Sequence, residues 1–130
     1  MLSITTKSPY ALSALVELHL QRASCPVPIA ELARRRQIPV QFLEQLFATL
    51  RRAGILRSQR GVKGGYSLAR PADEVTVLEL VELLDGPLGA GTSGVFAQAA
   101  AVAGAVLADA TVASVAEQEL RTTSTPMYHI

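Results

Sequence analysis

The segment that most constrains the fold runs from Leu43 to Pro71, where an amphipathic helix is followed by a short basic hairpin. Apolar residues recur there at i, i+3, i+4 and i+7, so one helical face must be buried: Leu43, Leu46, Phe47 and Leu50. The opposite face is polar. Gly54 tolerates the left-handed conformation that closes many helices, so we predict a helix from Val40 to Ala53.

A glycine-rich turn, Arg60 to Gly65, joins two strand-like runs, Ile55 to Gln59 and Tyr66 to Leu68. Glycines let a backbone approach another surface closely, as a phosphate backbone or a groove wall would require. A nucleotide-binding glycine loop would need a helix directly after it, and here Pro71 follows the second run instead. The sequence therefore predicts a hairpin with a charged tip, in which Tyr66 anchors the hairpin to the core.

Charge is divided sharply along the chain. Residues 1–70 hold 11 lysines and arginines against 3 acids, whereas residues 71–130 hold 1 arginine against 8 acids. This division favours a polyanion as partner of the N-terminal part. The single cysteine, Cys25, leaves no cluster with metal-ligand spacing and fits a reducing compartment. Without a recognisable signal segment or membrane span, we predict a cytoplasmic protein with no membrane partner.

Two further helices are predicted before the Val40 helix. Ser8 would cap the first, with Pro9 at its first helical position. The second runs from Ile29 to about Arg35, and a tight turn from Arg36 to Pro39 leads into the Val40 helix. Two short helices joined by three or four residues are typical of a helix-turn-helix, and the hairpin after it makes the unit a winged helix-turn-helix.

The C-terminal part begins after a fourth helix, whose start at Thr76 has capping-box spacing and whose end is Gly86. A linker from Gly86 to Gly94 precedes an apolar helix, Val95 to Ala108. A helix that is apolar on all sides must be buried on all sides, and this one is shorter than the ~20 residues that span a bilayer. We interpret it as a dimerisation helix; the alternative is an ordinary core helix within one chain.

The predicted fold class is therefore mainly α with a small β-hairpin wing. Residues 1–87 would form a winged helix-turn-helix DNA-binding domain. Residues 88–130 would hold the linker, the long dimerisation helix and a C-terminal tail.

The most specific combination of motifs is the helix Leu43-Glu44-Gln45-Leu46-Phe47 followed by Arg60-Gly61 and Gly64-Gly65-Tyr66. Together with Tyr10-Ala11-Leu12, Leu50-Arg51-Arg52-Ala53-Gly54 and Leu68-Ala69-Arg70-Pro71, it resembles the Rrf-two family of bacterial winged helix-turn-helix transcription regulators. The resemblance covers about residues 1 to 87. It implies a homodimer that clasps palindromic DNA and a short terminal helix near Thr111 to Val115.

Some members of that family hold an iron-sulfur cluster on three cysteines in the linker and at the start of the dimer helix. In this chain Gly86 to Ala108 contains no cysteine, and the hydroxyls of Thr92 and Ser93 cannot replace thiolates. The chain thus resembles members without the cluster, and no cofactor or metal is expected. Its signal could be a small molecule, a partner protein or nothing.

The resemblance places the N-terminal turn of the Val40 helix in the major groove of double-stranded DNA. Candidate base readers are Gln41, Glu44 and Gln45, because glutamine can pair with adenine and glutamate can accept from cytosine. For Glu44 the alternative is a solvated residue paired with Arg51 or Arg52. Arg60 at the wing tip would enter the minor groove. Predicted phosphate contacts are Lys7, Arg34, Arg51, Arg57 and Lys63, with solubilising charge as the alternative role.

These observations predict a sequence-specific DNA-binding transcription regulator, a repressor that acts as a homodimer. The alternative is a protein-interaction module that uses a winged helix without reading DNA sequence. No Ser-His-Asp set, paired acids or metal cluster stands out, so we do not expect an enzyme.

Overall fold

The structure is a computed structural model that describes residues 6–21 and 25–124. Within these ranges the chain is mainly helical, with six α-helices and one two-stranded hairpin. The elements are α1 (Lys7–Gln21), α2 (Ile29–Arg36), α3 (Val40–Arg52), β1 (Leu56–Gln59), β2 (Gly65–Leu68), a 3-10 turn (Ala72–Glu74), α4 (Val77–Asp85), α5 (Gly94–Asp109) and α6 (Val112–Ser124). The predicted mainly α fold with a hairpin wing is confirmed.

The apolar face of α3 lies at the centre of the core. Leu43, Phe47 and Leu50 have no exposed side-chain area, and they belong to one cluster with buried residues of α1. The ring of Phe47 meets the ring of Tyr66 edge-on, with the centroids 5.0 Å apart. Tyr66 is half-buried on β2, so it anchors the wing to the core as predicted.

Three residues, Gln37, Ile38 and Pro39, form the turn between α2 and α3. Gln37 takes a left-handed φ of 56°, which lets the backbone N–H of Ile38 donate to the carbonyl of Ala33 at 2.9 Å. This bond satisfies a carbonyl that the end of α2 would otherwise leave open. The buried Ile38 side chain then fixes the turn against the core.

The wing is bonded to the segment between α1 and α2. Val27 and Tyr66 exchange two backbone hydrogen bonds of 2.9 and 2.8 Å, so Val27 extends the β1–β2 pair by one bridge. This close approach requires glycine, because a Cβ at Gly65 would overlap the backbone carbonyl of Val27. A Cβ at Gly64 would likewise overlap the carbonyl oxygen of Gln59. The paired glycines of the wing are therefore required by packing on both sides.

The predicted role of Ser8 as a helix cap is wrong. Helix α1 begins at Lys7, so Ser8 lies within the first turn, and its buried hydroxyl donates to the carboxylate of Asp85 at 2.6 Å. Pro9 is consequently the third helical residue, where its missing N–H still costs no helical hydrogen bond. Because Asp85 ends α4, the Ser8 bond joins the start of α1 to the end of α4.

The start of α4 follows the predicted capping pattern. The backbone N–H of Glu79 donates to the hydroxyl of Thr76 at 3.1 Å. At the other end of the helix Gly86 takes a positive φ of 89°. Both predicted ends of this helix are confirmed.

Helix α6 is longer than the short terminal helix implied by the resemblance. It has 13 residues and returns to the N-terminal part, where Val112 and Ala116 are buried in the cluster that also holds α1. Of the residues beyond the implied end at Val115, Ala116 is buried in that cluster. Of the predicted tail, residues 125–130 lie outside the described residues. The division of the chain at residue 87 stays a prediction.

Helix α5 packs on α4 by one side and leaves the rest of its apolar surface uncovered in the single chain. Only Ala100 of α5 is buried against the described residues. Large apolar side chains on other sides are 64% to 68% exposed: Val95, Phe96, Val102 and Val106. Exposed apolar side chains grouped in this way are typical of an interaction surface.

Replacing Gly65 with alanine is expected to destabilise the protein more than replacing Gly54. A methyl group at Gly65 meets the Val27 backbone, whereas one at Gly54 meets no described atom within 4 Å. Gly54→Ala should therefore cost only the strain of its left-handed conformation, about 1–2 kcal/mol. We expect Gly65→Ala to lower the free energy of unfolding, measured in urea, by at least about 1 kcal/mol more. Equal losses would contradict the packing of the wing against Val27.

Candidate nucleic-acid interface

The polar face of α3 is open to solvent over its first two turns. Gln41, Glu44 and Gln45 are all exposed there, opposite the buried Leu43 and Phe47. Pro39 precedes the helix, and no side chain in the described part caps its first N–H groups. The helix therefore presents three polar side chains beside the positive end of its dipole.

The wing tip stands clear of the rest of the chain. Arg60, Val62 and Lys63 are exposed, and Val62 has its whole side chain in solvent. The base of the wing is fixed to the end of α3 by the buried Ile55, whose N–H donates to the carbonyl of Leu50 at 3.0 Å. Helix α3 and the wing thus form one unit. Val62 is not among the predicted DNA-binding residues, although its place between two cations in a glycine-rich turn indicates an exposed tip.

The alternative role of Glu44 depends on an ion pair that the structure does not contain. Across residues 6–21 and 25–124, no pair within 4.0 Å joins Glu44 to Arg51 or Arg52. Arg52 instead donates to the hydroxyl of Thr49 at 3.3 Å. The Glu44 carboxylate is therefore available to a ligand on the exposed face of α3.

The basic side chains fall into two groups. Several are neutralised inside the chain: Arg35 lies beside Glu17 and Glu31, Arg36 beside Glu17 and Glu119, and Arg70 beside Glu79. The hydrogen bond that Arg70 donates to the Glu79 carboxylate raises the pKa of Arg70 above its ordinary value. None of these three arginines belongs to the predicted DNA-binding set.

The second group has no carboxylate within 4.0 Å among the residues that the structure describes. Its members are all exposed, and all except Arg52 belong to the predicted set: Arg34, Arg51, Arg52, Arg57, Arg60 and Lys63. They lie on α2, the end of α3 and the wing. Because neighbouring carboxylates do not offset them, the positive charge of the N-terminal part concentrates on these elements.

Lys7 lies close to the candidate base reader Gln45 although the two residues are far apart in sequence. Together with Gln45 and Thr49 it lines a cavity of about 190 Å³, whose apolar wall includes Leu46 and Leu83. The structure therefore brings a predicted phosphate contact to the middle of α3. Arg34 and Arg57 lie on other elements, α2 and β1, on either side of α3 in the chain.

The residues present do not fit an iron-sulfur cluster. The described ranges contain no group of three or more His, Cys, Asp or Glu placed to hold a metal ion. Cys25 is exposed and lies before α2, far along the chain from the linker. In the linker the hydroxyl of Thr92 donates to the carbonyl of Gly89 at 2.5 Å. Such clusters need several thiolates, and this chain offers one.

No helix within the described ranges is long and apolar enough to span a bilayer.

Comparison with known proteins places the chain among regulators. Residues 4–122 match the model of the Rrf-two family, Rrf2, described as an iron-dependent transcriptional regulator. The HTH-type transcriptional regulator IscR of Cereibacter sphaeroides is 43% identical over 100 residues, which cover 72% of this chain and 64% of that protein. The chain thus spans slightly less than two thirds of this relative's length.

Two solved structures share the fold over most of their length. The structure of T. potens IscR matches with a TM-score of 0.83 and 30% identity, over 98% of this chain and 95% of that one. The structure of CymR, the global cysteine regulator of B. subtilis, matches with a TM-score of 0.82 and 28% identity, over 91% and 98%. Motifs, fold and all three comparisons agree that this chain belongs to the Rrf2 family of winged-helix DNA-binding transcription regulators, which are not enzymes.

Proposed function

We propose that this protein is a sequence-specific repressor that acts as a homodimer on a palindromic operator, without an iron-sulfur cluster. The observation that carries the proposal is the division of the basic side chains. Arg34 on α2 and the cations at the end of α3 and on the wing lack carboxylate partners in the described chain, whereas Arg35, Arg36 and Arg70 are paired. Exposed cations of this kind attract phosphates, and binding releases the counterions that the phosphates held.

In this proposal the first turns of α3 lie in the major groove. Gln41, Glu44 and Gln45 read base edges, and Arg60 enters the minor groove from the wing. The phosphate contacts come from Lys7, Arg34, Arg51, Arg57 and Lys63. The exposure of these side chains and the absence of a side-chain cap at the start of α3 support the assignment.

The dimer is proposed from the exposed apolar surface of α5. Val95, Val102 and Val106 recur at helical spacing on the side away from the buried Ala100. Ala99 lies between them and is also exposed, so two copies of the helix could approach closely. In a dimer with a two-fold axis at this face, both protomers contribute the same surface to the interface. Residues 88–130 would then assemble the dimer, while residues 1–87 bind DNA.

Two-fold symmetry of the protein requires two-fold symmetry of its target, which is why a palindromic operator is proposed. We infer repression because a dimer bound over a promoter excludes polymerase without a further contact surface. The protein would act in the cytoplasm, where bacterial DNA lies. An effector, whether a small molecule or a partner protein, would act by changing the separation of the two DNA-binding units.

Substitutions in the interface should separate base recognition from general DNA affinity. Arg60→Ala is expected to weaken operator binding several-fold because it removes the minor-groove contact. Gln45→Ala should relax base preference while non-specific affinity stays near wild type, since a good bidentate base contact is worth about 1–3 kcal/mol. Fluorescence anisotropy against a panel of duplexes measures both effects.

Arg121→Ala is the matched control, because Arg121 on α6 is paired with Glu117 at 2.9 Å and lies outside the proposed interface. It should bind as wild type does. If wild-type protein showed no preference among duplexes and its affinity did not fall with salt, the protein-interaction module would replace the repressor as the better account.

The oligomeric state depends on the exposed face of α5. Val102→Glu would bury a carboxylate between the two α5 helices, so we expect the mass measured by light scattering to fall from dimer to monomer. Val62→Glu adds the same charge at the exposed wing tip and should leave the dimer intact. A Val102→Glu protein with the mass of wild type would contradict an interface through this face.

A further inference from the structure

Arg36, the last residue of α2, is held by carboxylates from two other helices. Its Nε donates to Glu17 of α1 at 3.0 Å. Its Nη1 and Nη2 donate to the two carboxylate oxygens of Glu119 of α6, at 3.0 and 2.8 Å. The Arg36 side chain is only 15% exposed, and its hydrogen bonds to the Glu119 carboxylate raise the pKa of Arg36 above the ordinary value.

This pair differs from an ordinary surface ion pair, which contributes little to stability. Two parallel N–H···O bonds fix the relative orientation of the guanidinium and the carboxylate as well as their distance. Lysine carries the same charge but cannot reproduce this fork. The pair between Arg36 and Glu119 therefore constrains where the end of α2 lies relative to α6.

The position of Arg36 in the chain makes that constraint relevant to α3. The next residue, Gln37, takes the left-handed conformation that starts the turn of the helix-turn-helix. Pro39 ends the turn, and α3 follows directly. A shift of the end of α2 is consequently transmitted to the helix that carries the proposed base readers.

The other end of α6 is fixed to α5. Only two residues separate the helices, and Thr111 and Ser114 cap α6 reciprocally, each backbone N–H donating to the other's hydroxyl at 2.8 and 3.0 Å. The joint is also bonded to the start of α4. The N–H of Val112 donates to Val75, and the N–H of Val77 donates to Ala110, both at 2.9 Å. Helix α6 thus begins at a hydrogen-bonded turn beside α5, and further along the helix Glu119 pairs with the end of α2.

We propose that Glu119 is a positioning residue for DNA recognition: by its bidentate pair with Arg36, α6 sets the orientation of the helix-turn-helix relative to α5. In a dimer joined through α5, that orientation fixes the separation of the two recognition helices. Successive base pairs are about 3.4 Å apart along the DNA axis. The separation of the two recognition helices must therefore be fixed to within less than this distance for both half-sites to be engaged. The inference rests on the proposed function as a dimer that reads a palindrome.

The test compares Glu119→Gln with Glu117→Gln in the full chain. Glu117 is the matched control, because it lies on the same helix and pairs with Arg121 on the exposed surface. Binding is measured to three duplexes: an operator recovered by selection, the same operator with one base pair inserted between half-sites, and a single half-site. Thermal unfolding of each variant checks that the fold is intact.

Glu119→Gln is expected to weaken binding to the operator about five- to tenfold, the lower part of the range typical of coupling between sites. Half-site affinity should stay at the wild-type value, and the penalty for the inserted base pair should shrink. Glu117→Gln should match wild type on all three duplexes. Arg36→Lys should weaken operator binding at least as much as Glu119→Gln, because it removes the fork to Glu119 and also the Nε bond to Glu17. In the Arg36→Lys protein, adding Glu119→Gln should have little further effect, because the bidentate pair is already lost.

Two outcomes would overturn the inference. In the first, Glu119→Gln and Glu117→Gln bind all three duplexes alike. In the second, half-site affinity falls as much as operator affinity, which would indicate a lost DNA contact or a damaged fold. Failure of the proposed function would look different from failure of the role proposed for Glu119. In that case wild-type protein itself would show no operator preference, and the inference would fail together with the proposed function.

Discussion

The packing of the apolar face of α3 against α1 and the wing holds the proposed functional surface in place. Because Leu43, Phe47 and Leu50 are completely buried, the opposite face of the same helix is forced into solvent with its polar side chains. The Phe47 ring also holds Tyr66, and through it the strand that carries the wing. One buried surface therefore orients both elements proposed to meet DNA. Loss of that packing would move the base readers and Arg60 together.

A second constraint comes from electrostatics. Acidic residues of the C-terminal part pair with basic residues of the N-terminal part: Glu119 pairs with Arg36, and Glu79 pairs with Arg70. The remaining exposed cations on α2, α3 and the wing then concentrate the positive charge on one set of elements. Helix α6 contributes to this division while it packs on α1. The C-terminal part consequently shapes the DNA-binding unit as well as carrying the proposed dimer surface on α5.

Local patterns explain how much could be predicted from sequence. The period of the α3 face, the glycines of the wing and the capping pattern of α4 each depend on neighbouring residues, and each predicted its element. Contacts between distant residues could not be read in this way. Ser8 bonds to Asp85 across 77 positions, and Arg36 to Glu119 across 83. Nothing near Arg36 distinguishes it from the adjacent Arg34 and Arg35, because only the tertiary fold decides which side of α2 meets α6.

The central claim is that two identical DNA-binding units, joined through α5, read a symmetric target. Selection of bound duplexes from a random pool tests it most directly, because it assumes no operator. A symmetric dimer should enrich an inverted repeat whose half-site centres lie about one helical turn apart, or a multiple of it, roughly 34–36 Å per turn. Enrichment of a single unrepeated motif, or of no motif at all, would contradict it.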